Sequence, residues 1–321
     1  MKRYILVYLA TCLVLTSCFK ENLGINEKST NLNLSNYPVG SGDVVLRFST
    51  SKAVMGFKSD PIINFYPMEG TVDPAKVEKV YVFGAVNQSP NITMGSGNAT
   101  PGAYTFLFYE SNSLNGLHNV NFNVPGWWKL KAAILYDGQV YYSNEYELEI
   151  WFPSVYEMQN NSELTSKMES LWQETLNFAS SSSRKEFGFW ICAYVDSNGK
   201  LHLEEGEHEK GKPVDCDETN AAILPSIPKT NSPNKPDDIN VKFYIGYFHT
   251  HTPLTYCTSG SRKTGISDGD ITYAEYDHIP VLLYDYTDPR IYAGHSLNGP
   301  YGLSYVTTVN NRETPTFWIG N

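Results

Sequence analysis

The chain has 321 residues, 41% of them hydrophobic and 18% charged, with a formal net charge of −10. That length suits two ordinary domains or one large one, and the balance is that of a globular chain able to bury a sizeable core. An acidic surface of this kind argues against a nucleic-acid partner, which needs basic patches.

The first residues read as a targeting segment. Met1-Lys2-Arg3 is basic and Tyr4 to Leu15 is apolar but too short for a comfortable membrane-spanning helix. The run Leu15-Thr16-Ser17-Cys18 resembles the lipobox of bacterial lipoproteins. The resemblance implies that residues 1–17 are a signal peptide, that Cys18 carries the lipid, and that the protein is anchored to the bacterial outer membrane at its cell-surface or periplasmic face. An ordinary secretory signal with a chance cysteine is the alternative. After processing, Cys192, Cys216 and Cys257 remain. An oxidising compartment permits one disulfide, and Cys216 with Cys257 is the expected pair, because Cys192 falls in an apolar strand.

Residues 18–40 are polar, rich in Asn and Ser, and read as a flexible tether. Residues 41–153 read as all-β, with strands expected at Val44–Ser49, Ile62–Tyr66, Val77–Val86, Tyr104–Glu110, Val120–Val124, Trp127–Tyr136 and Val140–Trp151. Asp137-Gly138 is a hairpin turn signal. Seven such strands fit a β-sandwich of immunoglobulin-like size. Trp127-Trp128 reads as core or edge aromatics, with a sugar platform as the rival.

Residues 154–321 change texture to α+β. Leu164, Met168, Leu171, Thr175 and Phe178 share one face of an expected helix within Val155–Phe178. Strands follow at Phe187–Val195, Lys200–Glu205, Val241–Phe248, Ile279–Tyr286, Arg290–His295 and Gly302–Val309, with a short helix from Ser267. A charged, proline-rich loop separates the second from the third, over residues 206–239, and its acidic run Asp215–Glu218 reads as a solvated loop, with a metal cluster as the rival.

Chemistry concentrates after the strand "YIGYF". Strand alternation puts Val241, Phe243, Ile245, Tyr247, His249 and His251 on one face, with Thr250 pointing away, so both imidazoles can reach one metal ion. Ser267 and Asp270 stand three apart at a helix start. This spacing serves a capping box and also lets Asp270 act as a third ligand. Two His and one Asp leave an open position, as in a catalytic zinc site, and would also suit non-haem iron. Glu186, just before an apolar strand, is the candidate general base.

The set Glu186-Phe187-Gly188, His249-Thr250-His251 and Ser267-Asp268-Gly269-Asp270 resembles the JAMM metalloprotease motif of the JAB/MPN domain family, in order and on the expected elements. The likeness covers about residues 155–310. It implies a cytidine-deaminase-like α/β/α domain, Zn²⁺ on His249, His251 and Asp270, and hydrolysis of a peptide or isopeptide bond in a peptide or protein substrate. Glu186 would act as general base and then general acid, and Ser267 would stabilise the oxyanion. Two features depart from the family. Thr252 stands where a proline is usual, and the run between His251 and Ser267 is longer and carries Cys257 and Arg262-Lys263. A catalytically inactive JAB-fold binding module is the alternative. The 70 residues after His251 (321 − 251) are too few for a metal-dependent barrel.

Overall fold

The structure is a computed structural model of the chain. It describes residues 34–87, 104–115, 120–180, 182–215, 240–253, 264–277, 279–287, 299–306, 308–309, 312–313 and 319–320. The signal peptide with Cys18, the Cys216–Cys257 pair, the strand expected at Arg290–His295 and the Arg262-Lys263 pair lie outside them.

The first half of the chain forms ten strands: β1 (Gly42–Arg47), β2 (Lys52–Val54), β3 (Phe57–Ser59), β4 (Ile62–Pro67), β5 (Val77–Asn87), β6 (Tyr104–Ser111), β7 (Val120–Phe122), β8 (Gly126–Tyr136), β9 (Gln139–Tyr142) and β10 (Tyr146–Trp151). One sheet has the order β2-β10-β8-β5-β6, with β9 on the end of β8, and the pairs β1–β4 and β3–β7 lie across from it. The layers meet through Leu46, Phe65 and Phe122 against Val80, Val82, Trp128 and Ile134. Phe122 and Phe108 meet the Trp128 ring edge-on at 6.1 and 5.3 Å. Asp137 and Gly138 take the positive φ angles, 49° and 72°, that the β8–β9 turn demands.

Three expectations change in this half. The strand expected over Val140–Trp151 is two strands, broken at Ser143–Glu145. Strands β2 and β3 have three residues each, too few for alternation to show. The expected tether is shorter than 18–40. Leu34 is buried with Tyr81, Phe83 and Val140, and the backbone of Pro38 and Gly40 pairs with Val140, so residues 34–40 dock on the sheet. Trp128 is fully buried and Trp127 is 41% exposed, so the two indoles face opposite ways and form no common platform.

The second half carries α1 (Val155–Gln159), α2 (Ser162–Phe178), β11 (Phe187–Val195), β12 (Leu201–Lys210), β13 (Phe243–Thr250), α3 (Asp268–Asp277), β14 (Val281–Tyr286), β15 (Tyr301–Val306), β16 (Thr308–Val309), β17 (Arg312–Glu313) and β18 (Ile319–Gly320). The expected single helix is two. Ser154 and Glu157 form a capping box on α1, and Asn161 caps α2 through the amides of Glu163 and Leu164. The buried stripe of α2 is Leu164, Met168, Leu171, Trp172, Thr175 and Leu176, whereas Phe178 lies at the rim. Strand β12 runs to Lys210, into the span expected to be loop.

The sheet order is β12-β11-β13-β14-β15-β18, with β13 and β14 parallel and α3 between them in sequence. Helix α2 covers one face, where Phe187, Phe189, Phe248, Tyr284 and Tyr286 lie. Helix α3 covers the other, where Ile271 and Ala274 pack on Val281 and Leu283. Tertiary burial on both faces explains the near-continuous apolar run of β14. The apolar core continues between the halves of the chain, with the rings of Phe152 and Phe243 5.7 Å apart. Among the described residues no helix is long and apolar enough to cross a membrane.

Candidate metal centre

The two histidines sit at the end of β13, where alternation alone gives the right face for Tyr247, His249 and His251 and the wrong one for Phe243 and Ile245. The β11–β13 register steps from Ile191–Gly246 to Cys192–Tyr244, leaving Ile245 as an extra residue. This bulge reverses the parity of everything before it. Phe243 and Ile245 therefore pack with Phe248 on the α2 side, while Tyr244 and Tyr247 share a cluster with Trp190. Tyr247 and His249 stack with ring centroids 5.7 Å apart, and His249 and His251 lie 5.3 Å apart on that same face.

Asp270 reaches this face from the first turn of α3. Its Oδ1 is 3.0 Å from His249 Nε2 and its Oδ2 is 3.4 Å from His251 Nε2. Asp270 Oδ2 also accepts the Ser267 amide at 2.8 Å and the Ser267 hydroxyl at 2.7 Å, while the Asp270 amide donates back to Ser267 Oγ at 3.2 Å. The capping box and the approach to the histidines thus coexist. The cap fixes the carboxylate's direction, and the histidines lie in its path. The hydroxyl proton of Ser267 points at Asp270 in this arrangement.

The side chains of His249, His251 and Asp270 are 6%, 9% and 13% exposed. Burial alone would raise the Asp270 carboxyl, but the charges and hydrogen bonds of His249 and His251 outweigh it and hold the group far below the usual carboxylate range. The three donor atoms lie within 4.8 Å of one another. A tetrahedral ion with bonds of about 2.0–2.1 Å separates its ligand atoms by roughly 3.3 Å. The 3.0 and 3.4 Å contacts of His249 and His251 end on different oxygens of Asp270, and one ligand atom from each of the three residues lies within the 4.8 Å cluster that an ion could share.

Sequence reading missed Asp285. It is fully buried on β14, where its Oδ2 lies 3.0 Å from His251 Nδ1 and accepts the Gly265 amide at 3.0 Å, and its Oδ1 accepts the Tyr286 amide at 2.8 Å. A carboxylate behind a ligating histidine fixes the ring's tautomer and leaves the other nitrogen as donor to a metal. The one signal in the sequence is an acidic residue inside the otherwise apolar and aromatic strand "VLLYDY". His249 has no such backing, and its Nδ1 is buried without a hydrogen-bond partner among the described residues.

Glu186 precedes β11. Gly188 pairs with His249, and alternation places Glu186 on the face of Gly188 and opposite His251. Burial first, then the charges of Glu209 and Glu186, push the Tyr247 phenol well above its ordinary value, so both carboxylates lie in its neighbourhood. The Tyr247 hydroxyl occupies the space where a side chain at Gly188 would be. Cys192 is buried on β11, and desolvation lifts its thiol to about 12. In comparisons with family models, with curated proteins and with solved structures, this chain has no match.

Proposed function

We propose that this chain is a zinc-dependent hydrolase of peptide or isopeptide bonds, of the JAB/MPN kind, working at the bacterial envelope with its lipid on Cys18. The observation that carries the reading is the convergence of His249, His251 and Asp270, with Asp285 behind His251. Three protein ligands, with no fourth beside them among the described residues, are the donor set of a catalytic centre rather than a closed structural one. An ion held there supplies Lewis-acid polarisation and lowers the pKa of water toward neutrality.

The chain's own residues do the rest. Asp285 holds the His251 ring with Nε2 forward. Ser267 aims Asp270, and its hydroxyl, exposed at the helix start, can rotate toward a substrate oxygen. Glu186, half-buried on the same sheet face, takes a proton from the attacking water and returns it to the leaving amine.

The test is metal analysis joined to a base variant. The full chain should hold about one zinc per molecule. Glu186→Gln should keep the zinc and lose cleavage of an internally quenched peptide library by about 100-fold or more. Zinc without any cleavage in either protein would make the chain a metal-bearing binding module. Iron in place of zinc would move it to another reaction class.

A further inference from the structure

We infer that the Thr250 hydroxyl positions Glu186 against the His249–His251 pair, an inference that rests on the metal centre proposed above. The backbone ladder between β11 and β13 has its last register pair at Gly188–His249. One residue further, the Phe187 amide donates at 3.1 Å to Thr250 Oγ1, a side-chain atom rather than a backbone carbonyl. Thr250 Oγ1 lies 2.6 Å from Thr175 Oγ1 on α2, and Thr175 donates to the Leu171 carbonyl at 2.9 Å. With the Thr175 proton directed to Leu171, the Thr250 hydroxyl can donate to Thr175 or to the Phe187 carbonyl, 3.3 Å from its oxygen. Thr175 and Thr250 are fully buried and Phe187 is 1% exposed, so this bond satisfies an amide that is out of reach of water.

The consequence is geometric. Phe187 is bonded through its amide nitrogen to the carbonyl carbon of Glu186, and Thr250 is flanked by the two histidines. A hydroxyl on the far side of the sheet therefore ties the base's backbone to the ligands' backbone and braces both on α2. Because a side chain closes this junction, Glu186 and His251 are released from the spacing that a continued backbone ladder would impose. Valine at 250 keeps the shape and removes the tie, and serine keeps the tie.

The experiment uses the full, zinc-loaded chain as wild type, Thr250→Val and Thr250→Ser. Exchange of the Phe187 amide is followed by NMR, zinc affinity by chelator competition, and the Glu186 carboxylate by crystallography. In Thr250→Val the Phe187 amide should exchange about tenfold faster or more, with Glu186 displaced and zinc affinity near wild type. Peptide cleavage should fall on the order of 100-fold in kcat with KM held. Thr250→Ser should restore all of these. Unchanged Phe187 exchange and an unmoved Glu186 in Thr250→Val overturn the inference, as does a serine variant that behaves like valine. If Thr250→Val does not fold, Thr175→Val, which removes only the helix end of the chain of bonds, should still speed Phe187 exchange, and no change there overturns it. Wild type that cleaves nothing while the Phe187 and Glu186 responses hold would sink the hydrolase reading and leave the positioning role standing.

Discussion

His251 uses both ring nitrogens, and the two do different work. Nδ1 meets the buried Asp285 carboxylate and Nε2 faces Asp270. His249 has Asp270 on Nε2 and, among the described residues, no hydrogen-bond partner on Nδ1. The pair is therefore unequal, and the difference can be measured. Asp285→Asn should weaken zinc binding by about 10–100-fold, read by chelator competition, because the ring loses its orienting carboxylate. An unchanged affinity would show that packing alone orients His251. The sequence announced the histidines, Asp270 and Glu186 by spacing. It hid Asp285, because the partner that gives a buried carboxylate its meaning lies 34 residues earlier in the chain.

At the scale of elements, the site depends on where strands and helices start and stop. Helix α3 begins at the point where its cap turns Asp270 inward, and the bulge of β13 at Ile245 puts Tyr244 on the face that Tyr247 and the histidines share by alternation. The β11–β12 hairpin shows the same economy away from the site. Asp196 accepts the amides of Asn198 at 2.8 Å and Lys200 at 2.9 Å, and its other oxygen lies 2.8 Å from His202 Nε2. The Lys200 amide first, and then His202, lower the Asp196 carboxyl to about 2. A depressed pKa makes this contribution fully present above the unfolded value of about 3.9 and lost as pH falls toward 2. Asp196→Ala should accordingly lower Tm at pH 6 and converge on wild type near pH 2, followed by circular dichroism melts at several pH values. Equal melting at pH 6 would show that Gly199, at φ 71°, holds the turn without the carboxylate.

For the whole molecule, the centre joins distant pieces of chain: β13, the start of α3 and, through Asp285, β14. A bound ion ties these together only in the folded state. Zinc at about 1,000 times its Kd should stabilise the fold by about 4 kcal/mol, seen as a rise in Tm that a chelator reverses. A Tm indifferent to zinc would show that the three ligands hold no ion. The sequence by itself determined the change of texture near residue 153, most strand positions, and the choice of His249, His251, Asp270 and Glu186 as candidate ligands and base. These are local properties, set by the period of apolar residues and by residue types at short spacing. Only the tertiary structure decided that residues 34–40 dock on the first sheet, that the bulge at Ile245 reverses strand parity, that Asp285 meets His251 and that Thr250 takes the Phe187 amide. Each of these depends on which strand or helix lies beside another, and burial and hydrogen bonding between distant segments leave no period in the sequence to read.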